Sequence, residues 1–554
     1  MIRLSLALVL VIAACDRAPD TLDFGAAKAA NLPKGPVKAP PPPSAATRVL
    51  APPTHPSGVG TNLAELRDYS PERPFNDVFK QSRDWISSTA SAWDDKRPVD
   101  VDARGWVKEL KPGQFARSLV FWGDGLKFPK GSYTVTWKGT GEIDFAPQGG
   151  TVTSTANGTH KLEVDPGKGG LAVLIMKTDP KDPIRDIRVL LPGVDPAAAA
   201  ASPYGGFNPV FLERLKGYST LRFMDWMDTN ASHIKTAAER PVPDDARYTV
   251  KGVPMEVMID LCNAAGADAW INTGHTWGDD LVEAAAVVAR DKLKPGLRVY
   301  VEHSNEIWNG QFPQANYVRE KGVAAGLSKD VFDAQLRYHA QRSVEVHNIF
   351  DKIFAAAVPS PPGGAGNRVV RVLGAWAANA WSSGTMLDHL KENKWTVDAL
   401  AIAPYFGNSL GEPEQRGAVQ GMGLADLMKR LEASVDESLV WVKEQKKLAD
   451  KHKVQLISYE GGQHLVGIGP VSEDAHINNL FDAANIAPAM KPLYARYLKG
   501  WKDSGGGLFV HFTSTMRGSK YGRWGSTESM EQPRAEAPKY DALMTFIETT
   551  PRWY

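Results

Sequence analysis

"DAWINTGHTWGDDLVEAAAVVARDKLKPGLRVYVEHSNE", residues 268–306, decides the fold. It reads as a strand ("DAWINTG"), a helix ("DDLVEAAAVVARDKL") and a second strand ("LRVYVEHSNE"), a unit in which two parallel strands are joined by a covering helix. The same rhythm runs to either side. Before it, "NPVFLERLKGY" reads as a helix, "STLRFMDWM" as a strand and "VPMEVMIDLCNAAG" as a helix with Pro254 in its first turn. After it comes a long helix over 329–355, with Val346, Phe350 and Phe354 spaced by four, then the strand "VVRVLGAW". A helix over 384–394, the strand "ALAIAPYFG", a helix over 424–452, the strand "VQLISYEGG", a helix over 484–502 and the strand "GGLFVHFTS" follow. Alternation on this scale predicts a parallel sheet covered by helices. A closed (β/α)8 barrel over 199–554 accounts for it, with a short first strand expected near 199–208. The competing arrangement is an open doubly wound sheet, but no G-x-G-x-x-G or Walker-type loop follows any strand.

The N-terminal part is different. "MIRLSLALVLVIAAC" has a basic residue, an apolar run and small residues before Cys15, as a secretory signal over 1–15 does. Ile12-Ala13-Ala14-Cys15 is similar to a bacterial lipobox, which implies lipidation of Cys15 and a lipid anchor in the cell envelope, facing the periplasm. Residues 16–69 are rich in Pro and Ala and are expected to form an extended tether. Residues 70–198 hold short alternating strands such as "SYTVTWKG", "GEIDFAP", "HKLEVDPG", "GLAVLIMKT" and "IRDIRVLLPG", separated by turns, and predict a β-sandwich. Trp106, Trp122 or Trp137 could present an aromatic platform there or pack its core.

Composition narrows the function. Apolar and charged fractions of 43% and 23% are those of a globular chain. A net charge of +1 gives no electrostatic case for nucleic acid. Cys262 is the only cysteine besides Cys15, so there is neither a disulfide framework nor a zinc cluster, and it reads as buried on a helix. Sixteen tryptophans favour either a rich core or sugar-stacking platforms.

In a (β/α)8 barrel the chemistry lies at the C-terminal ends of the strands. Glu306 closes the fourth strand and Glu460 the seventh. Asn305-Glu306 and Glu460 at those places, with "LRF" on the second strand and "APYFG" on the sixth, resemble clan A of the retaining glycoside hydrolases. The wording "YVE-SNE-WN" with "EGGQHL" is also similar to bacterial proteins often labelled cellulose-binding or hypothetical. The resemblance implies Glu306 as acid/base, Glu460 as nucleophile, Asn305 on the sugar 2-hydroxyl, Arg222 and Tyr405 beside Glu460, and no metal or organic cofactor. Such enzymes hold the two carboxyls about 5–5.5 Å apart.

Strand alternation puts Glu302, Ser304 and Glu306 on one face, with Glu302 deeper and needing Arg371 or Arg222 as partner, and turns His303 toward the helices. His275 and His511 are expected to line the cleft with Trp277, Trp308, Trp376, Trp381 and Trp524, while Trp270 reads as core. The sequence leaves two rivals. One is a carbohydrate-binding barrel without catalysis. The other is a metal-dependent hydrolase using His275, His464 and His511, although the His-x-His such sites open with is missing.

Overall fold

The computed structural model describes residues 50–123, 125–145, 150–156, 158–355 and 367–554. The signal, Cys15 and most of the tether lie outside these. Eight parallel strands close into a barrel: Val59–Asn62, Thr220–Arg222, Asp268–Thr273, Val299–His303, Val369–Gly374, Ala399–Ile402, Gln455–Ser458 and Phe509–His511. The eighth pairs back onto the first, with Thr61 opposite His511.

The first strand is therefore not near 199–208. That region forms the short helix Pro196–Ala200 and a loop in which Phe207 bridges Phe75. The strand lies instead at Val59–Asn62, within the stretch expected to be tether. Its small residues fit because neighbours on both sides supply its hydrogen bonds. A Cβ on Gly60 would come within 2.6 Å of the Thr220 carbonyl oxygen.

Two antiparallel four-stranded sheets are consequently inserted between the first and second barrel strands. One runs Ile86–Ser88, Phe115–Phe121, Leu171–Thr178, Gly141–Phe145; the other Arg185–Leu190, Gly131–Lys138, Thr159–Val164, Gly150–Ala156. Alternate residues from both, including Val120, Val135, Leu162 and Val173, bury one cluster between them. Trp106 is in that cluster, stacked on Phe79 at 5.9 Å, and Trp137 packs against it. The insert docks on the loop after the second barrel strand. There Phe75 meets Trp226 and Tyr248, the Lys80 ammonium donates to the Asp245 carbonyl at 2.6 Å, and Arg247 pairs with Asp84 at 2.8 Å.

The helices follow the sequence periodicity. Leu424–His452 and Asp279–Lys292 lie almost where expected, while Pro254 caps the helix Met255–Ala265 from just outside it. Residues 475–503 divide into Ala475–Ile486 and Met490–Asp503. Cys262 is fully buried on its helix. Within the barrel, Trp270, Tyr300, Val370, Val372, Ala401, Ile457 and Val510 fill the interior, with Trp270 stacked on Tyr300 at 5.2 Å. Among the described residues no helix is long and apolar enough to cross a membrane.

Candidate active site

The register sets the site's foundation. Asn62 lies beside Arg222, and Asn272 beside Glu302, all four facing the barrel axis. Arg222 is fully buried, and every one of its five N–H groups is used. Nε and Nη2 donate to Glu302 Oε2 at 3.2 and 3.0 Å. Nη2 also donates to Asn305 Oδ1 at 2.9 Å. Nη1 donates to Asn62 Oδ1 at 3.0 Å and to Glu460 Oε1 at 2.6 Å. Burial opposes the guanidinium's charge, but Glu302 and Glu460 outweigh it and raise its pKa further. Arg222, not Arg371, is thus the partner of Glu302; Arg371 pairs with Asp398 at 2.8 Å. Glu302 also accepts from Trp270 Nε1 at 2.8 Å and Asn272 Nδ2 at 2.7 Å.

Alternation does not aim the two outer carboxylates. The fourth strand ends at His303, and both Ser304 (φ 62°) and Glu306 (φ 41°) adopt left-handed backbone, which L-residues rarely do. These two residues turn Asn305 and Glu306 to the same side, where a regular strand would separate them. Strain of this kind is characteristic of functional positions. Glu460 lies two residues past the seventh strand. Gly461, which follows it, has no room for a side chain: a Cβ would lie 2.8 Å from the Phe509 ring and the Tyr497 hydroxyl.

The two glutamates have different partners. Glu460 Oε1 accepts from Arg222, and its Oε2 accepts from the Tyr405 hydroxyl at 2.8 Å. Among the described residues Glu306 accepts only from neutral donors, Asn309 Nδ2 at 3.1 Å and the Tyr459 hydroxyl at 3.2 Å. Burial raises the pKa of both carboxyls. For Glu306 the two neutral hydrogen bonds oppose that rise, and for Glu460 the Arg222 charge does. Three buried carboxylates therefore share one guanidinium. Arg222 touches Glu302 and Glu460, so a proton taken up by the group is best accommodated on Glu306. Asn305 is held in place between Arg222 and Asn230, with its Nδ2 donating to Asn230 Oδ1 at 3.1 Å.

Glu306, Trp308, Trp376, Tyr405, Trp441 and Tyr459 line a cleft of about 370 Å³. Other expected members lie elsewhere. His511 alternates with the inward Val510 and so faces outward, its Nε2 3.3 Å from the Tyr494 hydroxyl. Trp277 lines a separate cavity of about 430 Å³ beside Met255, Met258 and Leu281. His275 packs edge-on to Tyr317 at 5.1 Å, and burial lowers its pKa to about 4. Trp524 is buried behind Tyr405, at 5.6 Å, with His464 against both rings. Trp381 is exposed and stacks on Phe332. His303 faces the helices as expected, its Nδ1 3.1 Å from that of His339. Among the described residues no three His, Cys, Asp or Glu side chains converge as metal ligands do.

Asn62, Tyr459, Trp441 and Asn408, which also lines the cleft, were not apparent from the sequence. Tyr459 adjoins Glu460 and had a signal in that adjacency. Trp441 is the only aromatic residue in its helix.

No known family's sequence profile matches the chain, and no curated protein does. Solved structures similar to it are glycoside hydrolases. A 4-O-α-L-rhamnosyl-β-D-glucuronidase from Fusarium oxysporum 12S shares 13% identity over 61% of this chain, with a TM-score of 0.36. This chain spans 63% of that protein's length. An endo-β-1,4-mannanase from Thermotoga petrophila shares 13% over 61% of this chain and 72% of its own, with a TM-score of 0.31. Xylanase 10B from Thermotoga maritima shares 11% over 61% and 89%, with a TM-score of 0.30. Likeness this slight carries no activity over to this chain.

Proposed function

We propose that the protein is a retaining glycoside hydrolase acting on a poly- or oligosaccharide. The observation that carries this is the unequal pair at the barrel mouth: Glu460 bonded to a guanidinium and a phenol, Glu306 bonded only to neutral donors. A buried carboxylate held ionised is a nucleophile, and a buried carboxyl that keeps its proton is a general acid. In the first step Glu460 attacks the anomeric carbon while Glu306 gives its proton to the departing glycosidic oxygen. In the second, Glu306 takes a proton from water, which attacks the anomeric carbon and frees Glu460. The second Nδ2 hydrogen of Asn305 is left to donate to the sugar 2-hydroxyl, and Trp308, Trp376 and Trp441 offer faces for pyranose stacking. A carbohydrate binder without catalysis gains nothing from two carboxyls whose charges repel. Proton NMR of the first-formed product tests the mechanism. Retained anomeric configuration is expected, and inversion would rule out the covalent intermediate.

Tyr405→Phe removes one hydrogen bond to the charged Glu460. A bond of that kind contributes about 1.5–3 kcal/mol, so kcat should fall roughly 10- to 100-fold, measured with an aryl glycoside under saturation.

We read the inserted pair of sheets as a β-sandwich accompanying the catalytic barrel. We also propose that the protein is exported and lipid-anchored in a bacterial envelope through Cys15, on the strength of the signal and lipobox. Labelled palmitate should enter the wild type and not Cys15→Ala; equal labelling of both would exclude this anchor.

A further inference from the structure

The outer face of the insert's first sheet carries a feature that its fold does not require. Arg117, on the strand Phe115–Phe121, is only 9% exposed, yet its guanidinium forms no hydrogen bond or ion pair among the described residues. Its Nε and Nη1 are buried without partners. Burial lowers its pKa, and no carboxylate among the described residues acts on it. The guanidinium stacks beneath Trp93, 3.5 Å from the ring centroid, and lies 5.6 Å from the Phe115 ring. Trp93 is 48% exposed, and Trp122 lies beside it at 5.4 Å. Around them Phe115, Leu119, Leu174 and Met176 form an apolar floor, a second cluster on the side of the sheet away from its core.

A buried cation with unmade hydrogen bonds costs free energy, which the stacking on Trp93 offsets without supplying an acceptor for those N–H groups. An open pair of indole rings next to it supplies what a pyranose face stacks on. We propose that Trp93, Trp122 and Arg117 form a binding site for an anionic glycan, a pyranose chain whose carboxylate or sulfate meets the guanidinium while a ring stacks on the indoles. A planar guanidinium presents two parallel N–H groups to such an oxyanion, which an ammonium cannot. Trp93 covers these N–H groups from the bend Ser87–Asp95, and its exposure lets the ring shift aside as the anion enters. The site is remote in sequence from the catalytic glutamates and does not depend on the barrel's chemistry.

Titration calorimetry of the whole protein tests this, with three oligosaccharide probes: oligogalacturonate, sulfated chondroitin oligosaccharide and neutral cellohexaose. The site predicts that one anionic probe binds in preference to cellohexaose, and more weakly as salt increases. The carboxylate and sulfate arms identify which anion it takes. Arg117→Met should weaken that binding at least tenfold and remove its salt dependence. Trp93→Ala should weaken it comparably and, lying on an exposed bend, gives the result even if Arg117→Met fails to fold. Neither change should alter turnover of a small aryl glycoside in the barrel. If neither anionic probe binds, if cellohexaose binds equally well, or if both variants bind as wild type, the proposal is overturned.

Discussion

Glu460→Gln is expected to lower kcat by at least about 10⁴-fold while the protein stays folded, because the amide cannot attack the anomeric carbon. Its carbonyl oxygen can still accept from Arg222, and its amide N–H can donate to the Tyr405 hydroxyl, so the surrounding groups keep their places. Glu306→Gln should give a different profile, losing most on substrates with poor leaving groups and little of the first step on an activated aryl glycoside. Azide distinguishes the two roles. With Glu306→Ala it should intercept the glycosyl-enzyme and give a glycosyl azide of retained configuration; with Glu460→Ala it should attack directly and give the inverted product. Full activity in either variant would overturn the mechanism.

The pH dependence follows from the same pair. Activity requires Glu460 ionised, so it falls as pH drops through that group's pKa. It also requires Glu306 protonated, so it falls as pH rises through the other. Burial raises both carboxyls. The kcat/KM bell should therefore lie on the alkaline side of the ordinary carboxylate range of about 4–4.5. In Glu306→Gln, assayed with an activated leaving group, the alkaline limb should disappear.

Arg222→Met is expected to produce the largest loss of stability, about 3–5 kcal/mol, because it strands two buried carboxylates together. Chemical denaturation should show a lower midpoint than wild type at neutral pH. Lowering the pH should narrow the gap, since protonating Glu460, whose pKa burial already raises, removes part of the uncompensated charge. Arg222→Lys should restore little: an ammonium has three donors on one point, and the five contacts here go to Asn62 and Glu302 on two strands and to Asn305 and Glu460 beyond two strand ends. A variant as stable as wild type would show that the network is not what holds these strand ends together.

The parts of this architecture that were legible in the sequence are those with long periodic signals. Leu424–His452 and Asp279–Lys292 could be read from their apolar spacing, and seven barrel strands from the apolar runs between helices. The first strand could not. Val-Gly-Thr-Asn has no apolar run, and it becomes a strand only because the second and eighth strands flank it. Without it, the insert looked like a preceding domain. At the site, Glu306 and Glu460 could be read from their places at strand ends, while Arg222 and Tyr405 came from the resemblance to clan A; both contact Glu460 in the structure. Residues judged by closeness to a strand end alone fared worse. His511 lies on such an end, but its parity turns it outward. Asn62 was hidden with its strand, and Trp441 reaches the cleft from a helix whose sequence gives only its periodicity.

The closure of the barrel through Val59–Asn62 also constrains when the molecule can become whole. Asn62 donates through its amide to the carbonyl of His511, 449 residues later, and Arg552 donates from its backbone to Pro56. Chains emerge at about 5–20 residues per second, so the opening strand waits roughly 20 to 90 s for its far neighbour. Until then it can pair on one side only, with Thr220–Arg222, and its other edge stays open, while the inserted sheets can already condense around their own core. The eighth strand therefore decides when the first becomes an interior strand, and the guanidinium that organises the glutamates has its full set of acceptors only once Asn62 and Glu460 lie at the same barrel mouth.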